Sequence, residues 1–309
     1  MNIKHLKITA LASSLFLFSC TKFENYQKKE DSTSTKIDST VSKTVLEFIS
    51  GATKMTIDPN NGCRITSFTY NGEEVLIQKN EFEMYGSTFW TAPQSAWGWP
   101  PITSIDSEPY VKLSTNSFES KNADTLGVNI IKSFTVNPDS SIKVTYSIVN
   151  NSDKSIKIAP WEISRVVSGG TTIFPYEKAT FKGKKPFGEV KITTKNGIAT
   201  FKYDSSAIND NKKSFAYASE GWLAQHSGNL LLVKKFENIN ASNCAPDESE
   251  IEIYANPNKI YIEIEQQGAY REVKSKESYN WSVDWYLTKI GTKSYTETEY
   301  KAIIEKLIK

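Results

Sequence analysis

From Val45 to about residue 290, short runs of β-branched and aromatic residues alternate with polar ones, and no long amphipathic helix interrupts them. In SIKVTYSIVN, Ile142, Val144, Tyr146 and Ile148 share one face. In KIYIEIE, Ile260, Ile262 and Ile264 share one face, while Tyr261, Glu263 and Glu265 share the other. In YNWSVDWYL, Tyr279, Trp281, Val283 and Trp285 line up. Successive side chains of an extended chain point to opposite faces, so a period of two predicts half-buried strands. NPDSS at 137–141 and YNGEE at 70–74 carry the residues of tight turns between strands. There is no βαβ rhythm, which argues against a parallel α/β sheet, and no repeat of fixed period. Many short strands in one domain predict an all-β sandwich or barrel. One short helix is expected at the C-terminus. There Thr296 and Glu299 form a capping-box pattern ahead of an apolar stripe of Tyr300, Ile303, Ile304, Leu307 and Ile308.

The chain has 309 residues and a formal net charge of +2, with lysines interleaved among acids. That balance gives no argument for nucleic acid as a partner. The N-terminus bears on location. MNIKHLK is basic, and ITALASSLFLF is apolar but too short to span a bilayer as a stable helix. The run ends in LFSC and resembles a bacterial lipoprotein signal. On that reading residues 1–19 are the signal peptide and Cys20 is acylated, which anchors the chain to a membrane. The competing reading is an ordinary secretory signal with an incidental cysteine. Thr21 rather than Asp follows Cys20, and resemblance to lipoprotein sorting then implies the outer membrane. Residues 20–44, rich in Ser, Thr and Lys, read as a solvated tether, and residues 45–309 as the folded domain. Cys63 and Cys244 either pair or stay free, since spacing alone does not decide it.

Much familiar chemistry is missing. There is no Gly-rich phosphate loop, no GxSxG elbow and no zinc-binding pattern, and His226 is the one histidine after Cys20. A histidine-based mechanism would need His226, whose alternative role is a structural hydrogen bond. Three stretches carry candidate chemistry instead. GSTFWTAPQSAWGWPP at 86–101 holds three tryptophans and three prolines. The prolines argue against a core strand and for a stiffened loop. Aromatic faces suit the C–H patches of sugars, and planar amides and charged groups suit their hydroxyls, a mixture that Trp90, Gln94, Trp97 and Trp99 supply. The competing reading is that these rings plug the end of the sandwich. APWEISRVVSGGTTIFP at 159–175, if extended, points Trp161, Ile163 and Arg165 one way and Glu162 and Ser164 the other. For Glu162 and Arg165 the alternative is a structural salt bridge to another strand. YIEIEQQGAYREV at 261–273 places Glu263 and Glu265 on one face, where like charges repel. One is free to be solvated while the other sits in a pocket with a raised pKa, as base or ligand.

Together with GCRITSFTYNGEEVL at 62–76, and with YIEIEQQGAYREV extended to IEIEQQGAYREVKSKESYNWSVDWYL at 262–287, these stretches occur in an order that resembles domain-of-unknown-function family 4380. That family is similar to the galactose mutarotase-like superfamily. The resemblance runs over roughly residues 45–290 and implies a large antiparallel β-supersandwich whose concave sheet face binds carbohydrate. Aldose mutarotases of this superfamily use histidine as acid and glutamate as base. Here residues 86–101 and 159–175 contain no histidine, and Glu265 matches the base only loosely. The expectation is therefore a lipid-anchored envelope protein that binds a mono- or oligosaccharide, without cofactor or metal. Its candidate contacts are Trp90, Gln94, Trp97, Trp99, Trp161 and Glu162, with Arg64 in addition. One alternative is an aldose mutarotase or epimerase with Glu265 as base and Arg165 or His226 as electrophilic partner. Another is a non-catalytic structural module of an outer-membrane assembly.

Overall fold

The computed structural model of the chain describes residues 45–79, 83–176, 182–183 and 187–309. The signal segment 1–19, Cys20 and the tether 20–44 lie outside the described residues. Among the described residues the strands form two large sheets, one of eleven strands and one of ten, with antiparallel ladders throughout. This is the all-β sandwich that the alternation allowed and the antiparallel supersandwich that the family resemblance implied. The Ile142–Asn150 strand alternates buried and half-buried residues along its whole length, with Ile142, Val144, Tyr146 and Ile148 inside. The Ser278–Lys289 strand beside it buries Tyr279, Trp281, Val283 and Trp285. Asn71 and Gly72, at φ +49° and +82°, make the turn in YNGEE, a left-handed conformation that Gly and Asn adopt most readily.

The C-terminal helix, Glu297–Leu307, starts at the expected capping box of Thr296 and Glu299. It packs Tyr300 and Ile304 against Ile173, Trp222, Leu231 and Val233 of the ten-stranded sheet. His226 belongs to this contact. Its Nδ1 lies 2.7 Å from the Tyr300 hydroxyl and its Nε2 2.9 Å from the Gly291 carbonyl. Both ring nitrogens are thus occupied in holding the helix, and His226 is a structural hydrogen-bonder rather than an electrophilic partner.

One expectation about local structure is corrected. Ser87–Ala92, inside the proline-containing stretch, is a fully buried strand between neighbours in the eleven-stranded sheet. Its prolines begin at Pro93, after the strand ends, so no ladder donor is lost. Pro160 lies within the Ile156–Val167 strand. It falls in a gap of the ladder on one side: Ile158 pairs with Arg271 and Trp161 with Gln267 of the next strand, and between them the Pro160 carbonyl accepts from Gly268 N–H at 3.0 Å.

Glu162 points into the space between the sheets, away from solvent. Its Oε1 accepts from Lys234 Nζ at 2.7 Å and from Gln266 Nε2 at 2.5 Å, and its Oε2 accepts from the Tyr146 hydroxyl. Lys234 also donates to Ser164 Oγ and sits 4.0 Å from the Trp285 ring centroid. Both charged side chains are fully buried. Glu162 is therefore a member of an interior ion pair and not a ligand contact. Burial lowers the Lys234 pKa to about 8, against the upward pull of Glu162. Removing one member of such a pair leaves a bare charge in the interior. Lys234→Met is expected to cost about 3–5 kcal/mol in urea unfolding, and the double variant Glu162→Gln/Lys234→Met to recover most of that loss.

Candidate functional site

The other face of the eleven-stranded sheet is built from five adjacent strands: Ser87–Ala92, Ile156–Val167, Tyr261–Gln267, Ile251–Ala255 and Lys212–Ala216. Register decides which side chains meet there. Trp161 lies opposite Trp90 on one side and Gln267 on the other. Arg165 lies opposite Glu263, and Glu265 opposite Glu252. With a side-chain period of two, these residues share one face while Glu162, Ser164 and Gln266 share the interior one.

Trp90 is the hub of a ring cluster. Its centroid lies 5.3 Å from that of Trp161, 5.8 Å from Trp97 and 6.2 Å from Trp99, all edge to face, the arrangement that ring quadrupoles favour. Trp161 and Trp90 are buried, Trp97 is half-buried, and Trp99 is 62% exposed. Trp97 Nε1 donates to the Thr91 carbonyl at 2.7 Å, which pins the loop after the strand. Gln94 spends its side chain within that loop, donating to the Gly98 carbonyl at 3.4 Å, while its backbone N–H donates to Glu248 Oε1 at 2.5 Å. Arg64 is on the same side of the sheet as Trp90 but is buried, 3.2 Å from Asp106 Oδ2, and Asp106 Oδ1 accepts from Trp90 Nε1 at 2.7 Å. The Arg64–Asp106 pair thus positions the Trp90 indole.

The charged groups form a connected network beside the rings. Arg165 Nε lies 2.9 Å from Glu263 Oε1, its Nη1 donates to Thr88 Oγ1 at 3.2 Å, and its guanidinium carbon is 5.6 Å from the Trp90 centroid. Lys213 Nζ lies 2.7 Å from Glu252 Oε2 and 3.1 Å from Glu265 Oε2, and 5.0 Å from the Trp161 ring. Trp161 Nε1 donates to Glu265 Oε2 at 2.9 Å. Gln267 Nε2 donates to Glu248 Oε2 at 2.8 Å and to Glu252 Oε1 at 3.1 Å. Among the described residues, and apart from Arg165 Nε in its ion pair, three polar atoms of these residues have no hydrogen-bond partner: Arg165 Nη2, Glu265 Oε1 and Gln267 Oε1. Their residues are at most 1% exposed, and buried polar atoms without partners are uncommon in folded proteins.

Burial pushes Glu265 up to about 8, Lys213 pulls it down, and Glu252 and Glu263 push it further up. Burial likewise raises Glu248 to about 7, with Glu252 adding to the shift. Burial alone would lower Lys213, but Glu252 and Glu265 overturn that and raise it. A raised lysine and a raised glutamate in one contact point in opposite directions. One ammonium cannot neutralise two carboxylates, so Lys213 stays charged against Glu252, and Glu265 is the group that keeps its proton. Cys63 and Cys244 are both free thiols, and burial raises each to about 12.

Of the residues singled out in the sequence, the structure brings Trp90, Trp97, Trp99, Trp161, Arg165 and Glu265 together. Gln94 sits in the adjoining loop, Arg64 is buried at the edge of the cluster where it holds Asp106, and Glu162 and His226 lie elsewhere. Asp106, Lys213, Glu248, Glu252 and Gln267 belong to the site without having been singled out. Glu252 had a readable signal, since it alternates with Ile251 and Ile253 as Glu263 and Glu265 do with Ile262 and Ile264. Lys213 and Glu248 had none, because their roles come from pairing across strands and loops.

No protein-family model matches the chain, and no curated protein sequence does. Solved structures do share its fold. A galactose mutarotase-like protein from Lactobacillus casei matches with a TM-score of 0.56 at 10% identity, covering 79% of this chain and all of that one. The galactose mutarotase related enzyme from Lactobacillus acidophilus matches with a TM-score of 0.54 at 8% identity, covering 82% of this chain and 99% of its own. A galactose mutarotase-like protein from Clostridium acetobutylicum matches at 0.50 and 12% identity, covering 80% and 95%. The chain therefore has the galactose mutarotase-like fold.

Protonated Glu265 and Glu248 link stability to pH. Their folded pKa values lie above the ordinary 4.5, so the folded state binds protons more tightly. Their contribution to stability is full below about pH 4.5 and is lost as pH rises toward 8. The melting temperature of the protein is expected to fall between pH 5 and pH 9, and Glu265→Gln to flatten that fall. An unchanged slope in the variant would mean that Glu265 is ionised throughout.

Proposed function

We propose that this face binds carbohydrate. The observation that carries the reading is the juxtaposition of an exposed indole, Trp99, with the Trp90 hub and a network that retains unpartnered polar atoms. Rings take the apolar side of a sugar, and amide, guanidinium and carboxyl groups take its hydroxyls. The fold is the one found in proteins described as galactose mutarotase-like, which supports a sugar as the ligand class. The resemblance to family 4380 belongs to the same proposal. So does the lipid anchor at Cys20, which would hold the domain at the outer membrane.

A second reading, an aldose epimerase, is favoured by one observation. Glu265 holds a proton near neutral pH beside Lys213, and a group poised near the working pH is suited to moving protons. With His226 committed to the C-terminal helix, Glu265 would have to work with Arg165 or Lys213.

Trp99→Ala is expected to weaken sugar binding about 3- to 10-fold by calorimetry, the size of one aromatic contact, and to leave the melting temperature unchanged. Trp161→Ala, which empties a buried site, should instead destabilise by about 3–5 kcal/mol. Equal sugar affinity in the Trp99 variant would count against stacking. For the epimerase reading, polarimetry should show anomer exchange faster than buffer for some aldose, lost in Glu265→Gln.

A further inference from the structure

Among the described residues the charges on this face do not balance. Four carboxylates, Glu248, Glu252, Glu263 and Glu265, meet two cations, Arg165 and Lys213. Arg165 answers Glu263, and Lys213 is shared by Glu252 and Glu265. Glu248 is held by neutral donors, the Gln94 N–H and Gln267 Nε2. Arg64, beside the rings, is paired with Asp106. Two negative charges are left over, and burial holds protons on Glu248 and Glu265 in their place.

The unpartnered atoms point the same way. Among the described residues no donor reaches Gln267 Oε1, nor Glu265 Oε1, which becomes an acceptor once Glu265 gives up its proton; both side chains are buried and lie on the same face of one strand. A buried acceptor without a donor is unfavourable. What the face lacks is therefore both positive charge and N–H or O–H groups. An ammonium provides three donors, no acceptor and one positive charge. A hydroxyl brings one donor and no charge. A carboxylate or phosphate would bring a negative charge to a face that already needs two protons to balance its own. Arg165 Nη2, the one unpartnered donor among these atoms, is left for a sugar oxygen.

We propose that the ligand selected by this face is an amino sugar with a free ammonium group, seated with its N–H groups toward Glu265 and Gln267. This rests on the carbohydrate reading above and narrows it to a substrate class, one that excludes uronic acids and sugar phosphates.

The test is calorimetry on the full chain, at a pH where the amine is protonated, with glucosamine and galactosamine, their parent hexoses, their N-acetyl forms and glucuronate. The amino sugars are expected to bind at least tenfold more tightly than the parent hexoses. Glucuronate is expected not to bind. Glu265→Gln should collapse the ratio between amino and parent sugar. Glu248→Gln, at the edge of the network, is a second variant that should lower the same ratio should the first fail to fold. Parent or N-acetyl sugars binding as tightly as amino sugars, or any binding of glucuronate, would overturn the amino-sugar assignment while the carbohydrate reading stood. A ratio unchanged in both folded variants would overturn it too. Absence of binding by every sugar would remove both.

Discussion

The Ile156–Val167 strand is buried on both faces, and the organisation of the protein follows from how each face is satisfied. Toward the second sheet it presents Glu162 and Ser164, which bind Lys234 across the sandwich. Away from it the strand presents Trp161 and Arg165, which anchor the ring cluster and the ion pair of the candidate site. Interior charge pairs add little net stability, because desolvation offsets their attraction, but they tolerate few alternative arrangements. A one-residue slip of this strand would put Arg165 and Trp161 between the sheets and expel Glu162. The Glu162–Lys234 pair is thus placed to help hold the register on which the opposite face depends.

That opposite face works by an unequal distribution of charge. Lys213 lies between two carboxylates and Arg165 beside a third, all largely removed from water. In a buried setting one cation stabilises one anion well, and a second carboxylate is favoured neutral. The same shortage accounts for the raised Glu265 and Glu248 and for the acceptors that remain unserved. The aromatic hub gives the network one firm wall. Trp90 is held on its ring edge by Trp161 and at its nitrogen by Asp106, which Arg64 in turn holds. Trp99 can then stay exposed without leaving the cluster.

The alternation of Ile142, Val144, Tyr146 and Ile148, of Tyr279 to Trp285, and of Ile262 and Ile264 against Glu263 and Glu265 was enough to specify an all-β sandwich or barrel. Local capping chemistry at Thr296 and Glu299 specified the closing helix. These signals are local, because strand period and helix caps depend on residues two to four apart. The face assignment of Trp161 and Arg165 against Glu162 was also legible, since it needs only the pleat. What each face met was not. Glu162 has the same character as Glu265 in the sequence, yet one is locked to Lys234 inside the sandwich and the other lies beside Lys213 on the far side of the sheet.

By itself, the sequence determined the all-β class, the alternating faces, the closing helix and the clustering of indoles in one segment, because these follow from backbone geometry and nearest neighbours along the chain. Only the tertiary structure decided that Ser87–Ala92 is a central strand, that Arg64 and His226 are structural, and that Lys213, Glu248, Glu252 and Gln267 join Glu265. Those outcomes depend on strand order and register, which bring together residues as far apart as Gln94 and Glu248. A carboxylate's role is set by the charges and donors that such distant pairing puts around it.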